Sequence, residues 1–215
     1  MSEQAKGIAF FDFDGTISFE DSFLEFLRYT DGSFKLYWCM VLNSPFILFY
    51  FLKLYSNQKL KERFFTFFYK GRSVAELEEK GQLFCNEVLP KMVYPQALQL
   101  IRWHQERGHE VYLLTASSRL WLGEWCRQQN MKIIDTTFEN DGQYYTGKIA
   151  GENCYGKEKA KQMLPILAAS RGVPSYGYGH GRGDAHFIAE VKYGFNMPLN
   201  ASNVTSEWFA AHKES

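Results

Sequence analysis

The segment Gly7-Ile-Ala-Phe-Phe runs without a polar side chain and empties directly into Asp12-Phe-Asp14-Gly15-Thr16. A strand that is apolar on both sets of alternating positions must be covered on both faces. That is the situation of a strand inside a parallel sheet, not of a strand with one face in water. The carboxylates then fall at its carboxyl end, in a loop that Gly15 lets turn sharply. Downstream the same grammar recurs. Glu110 to Thr115, Lys132 to Asp135, Val173 to Gly179 and a segment near Tyr193 are expected strands. Between them come helices over 118–130 and 156–171 (the second expected to kink at Pro165), a hairpin over 136–151 and a short helix from Asp184. Strands alternating with helices imply an α/β fold with a doubly wound parallel sheet.

One stretch departs from this pattern. Of the 19 phenylalanines, 14 lie between Phe10 and Tyr69. A helix-spaced apolar stripe covers 20–29, an almost wholly apolar run covers 34–55 with a break at Asn43-Ser44-Pro45, and an aromatic helix is expected over 58–70. Ser73-Val-Ala-Glu76 is a capping box opening another helix towards Pro90. Residues 18–90 therefore form an expected all-helical cap, inserted into a core built from residues 1–17 and 91–215. From Leu36 to Leu52 there is no charge, with Lys35 and Lys53 at the flanks. A membrane span needs about 20 apolar residues, and the central proline and its polar neighbours favour two short helices instead. A small insertion has little interior, so some of Phe34, Tyr37, Trp38, Phe46, Phe49, Tyr50 and Phe51 are expected to stay exposed. Such a surface suits peripheral contact with a membrane; the competing expectation is that these rings fill the cap's own core.

Charge removes one class of partner. Twenty-four basic and 24 acidic residues cancel, leaving no bulk field to draw in nucleic acid. The four cysteines have neither a C-x-x-C pair nor metal-ligand spacing, which fits free thiols in a reducing compartment. The first residues lack a basic stretch followed by an apolar core, so a cytoplasmic location, at most at the inner membrane surface, is the expectation.

The chemistry-bearing residues collect where strands end. Asp12 and Asp14 follow the first strand; Thr115, Ala116 and Ser117 follow the second; the loop from Gly179 to Asp184 follows the fourth; Lys157 opens a helix able to point the same way. Two carboxylates two residues apart repel unless a positive charge lies between them, and a Mg²⁺ ion with oxygen ligands would supply it. Asp12 can then attack phosphorus as a nucleophile, and Asp14 can serve as acid to the leaving alcohol and base to the water. Thr115, Ala116 and Ser117 would hold phosphate oxygens, and Lys157 would neutralise developing charge.

This ordered set resembles the haloacid dehalogenase superfamily of phosphotransferases. The helical insertion after the first motif, with Cys154-Tyr-Gly156-Lys157-Glu158-Lys159, is similar to its phosphoserine-phosphatase-like branch. The resemblance implies Mg²⁺-dependent hydrolysis of a phosphomonoester through an aspartyl-phosphate on Asp12. The substrate it implies is a small phosphorylated molecule or a phosphorylated lipid head group. One departure stands out. Family members usually carry Gly-Asp with a second Asp four residues later, the first Asp being a direct metal ligand. Here His180 occupies that place and only Asp184 remains, so the resemblance implies a metal site of Asp12, Asp14 and Asp184. Imidazole suits transition metals better than Mg²⁺. His180 is thus a further metal-ligand candidate, and the alternative reading is a phosphate-binding module with weakened catalysis.

Overall fold

The computed structural model describes residues 5–170 and 172–211. Residues 1–4, Arg171 at the expected end of one helix, and 212–215 lie outside the described residues. Gly7–Phe11 forms β1, buried at all five positions, as its unbroken apolar run requires. It is the middle strand of a five-stranded sheet with β2 (His109–Leu114), β3 (Lys132–Ile134), β6 (Ser175–Gly179) and β7 (Tyr193–Asn196), in the order β3-β2-β1-β6-β7. All four pairings are parallel. Successive side chains of β1 point to opposite faces. Ala9 and Phe11 join a core with Phe13, Phe26, Trp121 and Tyr178, whereas Ile8 and Phe10 pack with Leu114, Met163 and Phe187 on the other side.

Between β1 and β2 lie six α-helices: α1 (Ser22–Asp31), α2 (Ser33–Leu42), α3 (Ser44–Phe51), α4 (Asn57–Tyr69), α5 (Val74–Glu87) and α6 (Pro95–Glu106). The local signals act as expected. Ser73 Oγ accepts from the Glu76 amide to start α5, and Pro95 opens α6. The break at Asn43 and Ser44 separates α2 from α3, which meet at 68°. The antiparallel hairpin of β4 (Phe138–Asn140) and β5 (Tyr145–Ile149) stands apart from the main sheet and carries α4. There Phe65 stacks on Phe138 with ring centroids 3.5 Å apart. Helices α7 (Arg119–Gln128), α8 (Lys157–Ala169, running on through Pro165), α9 (Ala185–Ile188) and α10 (Ser206–Ala211) complete the fold.

The early phenylalanines divide between both expected fates. Phe23, Phe26, Phe64, Phe65 and Phe68 are buried, while Phe34, Tyr37, Trp38, Phe49 and Phe51 are exposed and Phe46 and Tyr50 are half-buried. All four cysteines are free and buried.

Candidate active site

The chain runs from β1 outwards to β2 and β3, then returns to lay β6 on the other side of β1. Strand order reverses at that point, and the crevice outside the carboxyl ends of β1 and β6 is where an open α/β sheet receives ligands. Asp12 sits there, its amide donating to the Tyr178 carbonyl at 2.8 Å. The amides of Thr16, Ile17 and Ser18 all return to the Phe13 carbonyl, a tight turn that Gly15 completes at φ 78°. The turn brings Thr16 Oγ1 back to donate to Asp12 Oδ2 at 3.1 Å.

Asp12 is only 5% exposed, and a buried charge needs a partner. Lys159 provides it. Its Nζ lies 2.5 Å from both Asp12 Oδ1 and Asp184 Oδ1. Burial alone would pull this ammonium's pKa down; Asp12 and Asp184 outweigh it, raise the pKa and keep the group charged. Asp184 is pushed up to about 6, by burial first and then by Asp12, with Lys159 opposing. Its second oxygen accepts from the His180 amide at 2.9 Å. A Cβ on Gly179 would come within 2.5 Å of the Asp184 side chain, so only glycine lets this loop fold back so closely.

Asp14 faces a different set of donors. Ser117 Oγ donates to it at 2.5 Å and the Ser22 amide at 2.6 Å. Burial, then the neighbouring charges of Asp21 and Asp12, raise its pKa to about 7. A carboxyl group that titrates near neutrality can both give and take a proton at working pH. Helix α4 adds Lys61, whose Nζ donates to the Ala116 carbonyl at 2.6 Å and whose pKa is lowered, chiefly by burial. Together these groups line a cavity of about 300 Å³, with Ala116, Ser117, Tyr50, Asn57, Tyr155 and His180 also on its wall.

The structure brings Asp12, Asp14, Ala116, Ser117, His180 and Asp184 to one cavity. Thr115 lies just beneath, fully buried, its Oγ1 accepting from the Ser117 amide at 3.0 Å. Lys157 is the correction. It is exposed at the first position of α8, and Lys159 takes the place expected of it. The reason is helical phase: Lys159, Ala160 and Met163 are the buried positions of α8, so residue 157 points elsewhere. The signal was readable, because Ala160 and Met163 mark the inward face, and Lys159 adjoins Ala160 and precedes Met163 by one turn. Lys61 was missed for want of any local signal, since its role depends on how α4 sits over the loop after β2.

Mg²⁺ takes oxygen ligands and usually one or two carboxylates, completed by waters and substrate phosphate. Asp12 and Asp184, bridged by one ammonium, fit that requirement. Among the described residues no group of three or more His, Cys, Asp or Glu side chains is placed to hold a metal by itself. The donor set thus fits a hard cation shared with a phosphate, not a closed protein cage.

A switch-point carboxylate, a second carboxyl two residues on, a buried lysine and a late acidic loop are the features this α/β site presents. The chain belongs to the haloacid dehalogenase-like hydrolase family, whose family model matches residues 9–189. Among curated proteins it is 28% identical over 182 residues to Protein CicA of Caulobacter vibrioides, covering 83% of this chain and 80% of that one. It is 30% identical over 176 residues to a probable phosphatase of Mycobacterium tuberculosis, covering 80% of this chain and 60% of the relative. Among solved structures, a phospho-aspartyl intermediate analogue of phosphoserine phosphatase superposes with a TM-score of 0.60 at 14% identity, covering 91% and 87% of the two chains. The protein is an enzyme of this hydrolase family, with phosphatases among its relatives.

Proposed function

We propose that the protein is a phosphomonoesterase working through a phosphorylated Asp12. The observation that carries this reading is the pairing of Asp12 with Lys159 at the sheet's switch point, beside an Asp14 whose pKa burial and the charges of Asp21 and Asp12 raise to about 7. An oxygen of Asp12 forms a bond to phosphorus as the ester P–O bond breaks. Asp14, protonated, gives its proton to the departing alkoxide. It then takes a proton from the water that attacks the aspartyl-phosphate, which frees inorganic phosphate and restores Asp12. Lys159 and Lys61 offset the charge that builds on the phosphoryl oxygens. Mg²⁺, held by Asp12 and Asp184 with Asp14 nearby, would shield the phosphate's negative charge from the attacking carboxylate.

The substrate class is a small phosphomonoester or a phosphorylated lipid head group, met in the cytoplasm or at the inner membrane surface. Helices α1 to α5 serve as the cap that selects it. Hydrolysis of a chromogenic aryl phosphate with Mg²⁺, beside an Asp12→Asn control, tests the mechanism: the variant is expected to be inactive, and equal rates would refute it. A second reading has its own observation. With His180 in place of an acid and no three-ligand group among the described residues, turnover is weakened and phosphate binding is retained. On that reading His180→Asp raises the rate sharply; an unchanged, already fast rate removes it.

A further inference from the structure

Helices α2 and α3 leave most of their surface uncovered. α2 buries only Leu36 and Cys39, and α3 buries no residue at all. Phe34 is 86% exposed, Phe51 73% and Val41 62%, with Tyr37, Trp38 and Leu48 beside them. Large apolar side chains left exposed together on two consecutive helices mark a docking site.

Charge identifies the occupant. The whole chain is neutral, yet residues 32–60 contain Lys35, Lys53 and Lys59 and no Asp or Glu. Lys35 is paired with Asp31 at 2.7 Å, whereas no carboxylate partner is seen for Lys53 or Lys59 among the described residues. Apolar side chains mixed with Trp and Tyr and rimmed by lysine match an anionic bilayer surface, which offers acyl chains below and negative head groups above. Among the described residues no single helix is long and apolar enough to cross a membrane; α2 and α3 reach that length only as a pair, and they are bent by 68°. The bend that shortens the pair is fixed by Asn43, whose amide group donates to the Cys39 carbonyl and whose oxygen accepts from Arg63 Nε of α4 at 2.7 Å. Straightening α2 and α3 into a span would break those bonds and draw Arg63 towards hydrocarbon.

The same element reaches the active site. Phe51 and Leu48 of α3 face outwards, while Tyr50 lines the Asp12 cavity. We infer that α2 and α3 dock the protein on an anionic phospholipid bilayer, so that phosphate monoesters in lipid head groups enter beside Tyr50. What docking delivers rests on the phosphatase reading; docking itself does not.

The two are separated by floating the full chain with phosphatidylglycerol/phosphatidylcholine vesicles and with phosphatidylcholine alone. Wild type and Asp12→Asn are both expected to float with the anionic vesicles. High salt should weaken this partitioning, and neutral vesicles should lower it by on the order of tenfold. Phe34→Asp/Phe51→Asp is expected to stay at the bottom while hydrolysing a soluble aryl phosphate at the wild-type rate, which shows that it is folded. Vesicles with brominated acyl chains should quench Trp38, and Trp38→Phe should remove that quenching. Wild type remaining at the bottom overturns the inference. So does a wild-type dimer that Phe34→Asp/Phe51→Asp splits in sedimentation, since a second copy would then be the cover. Floating protein in which Asp12→Asn still turns over would refute the aspartyl-phosphate reading and support docking.

Discussion

Two lysines two residues apart separate structural placement from mere proximity in sequence. Lys159 is the only side chain bridging Asp12 and Asp184 among the described residues. Lys159→Met leaves two buried carboxylates without their cation, which is expected to cost about 3–5 kcal/mol of stability and on the order of 10²–10³ in kcat. Lys157→Ala, at an exposed position, should stay within about 0.5 kcal/mol and keep its activity. Urea titrations and steady-state rates on both variants check this, and equal losses would mean that Lys159 holds no special place. A second residue-scale prediction concerns pH. His104 is fully buried, with Nδ1 2.8 Å from His109 Nδ1 and Nε2 3.0 Å from the Tyr178 hydroxyl. Burial first, then His109 and Arg107, lower its pKa from 6.5 to about 2. The folded protein therefore refuses a proton that the unfolded chain accepts below pH 6.5. The stability this neutral ring confers is complete above 6.5 and is lost as pH falls towards 2, at about 1.4 kcal/mol per pH unit. His104→Gln should flatten the slope of unfolding free energy between pH 5 and 6.5; an unchanged slope would place the titration elsewhere.

Among the elements, the capping box before α5, the proline opening α6 and the strand–helix alternation after Gly108 were all legible, because each depends on residues within one or two turns. The same holds for the α2–α3 break. Contacts between elements were not legible. Helix α5 crosses α7 so closely that a Cβ on Gly81 would meet the Leu120 carbonyl oxygen at 1.8 Å, and Cys85 Sγ lies 3.1 Å from the Trp121 carbonyl. Gly81→Ala would raise helix propensity in isolation yet must push two packed helices apart. A net loss of about 1–3 kcal/mol and a lower melting temperature are expected. A variant more stable than wild type would show that the contact yields freely.

Taken whole, the molecule closes helices from one part of the chain over the Asp12 carboxylate from another. Lys61 reaches from α4 to the Ala116 carbonyl, and Gln58 Nε2 donates to the Gly151 carbonyl at 3.2 Å. Gln58→Cys with Gly151→Cys places two thiols across that seam, in a protein whose own four cysteines are buried. Oxidation is expected to suppress turnover and reduction to restore it; full activity when cross-linked would mean that the cap need not move.

By itself the sequence determined the α/β class, the strand carrying Asp12 and Asp14, the helical insertion and its apolar break. These follow from periodicity and turn chemistry, which act over a few residues. It also placed His180 and Asp184 on the same loop as neighbours of the site. Tertiary structure alone decided that Lys159 and not Lys157 meets Asp12, that Lys61 joins from the insertion, and which aromatic rings are covered. A buried charge selects its partner by reach and helical phase across elements distant in sequence, and a ring is buried only where another element arrives to cover it.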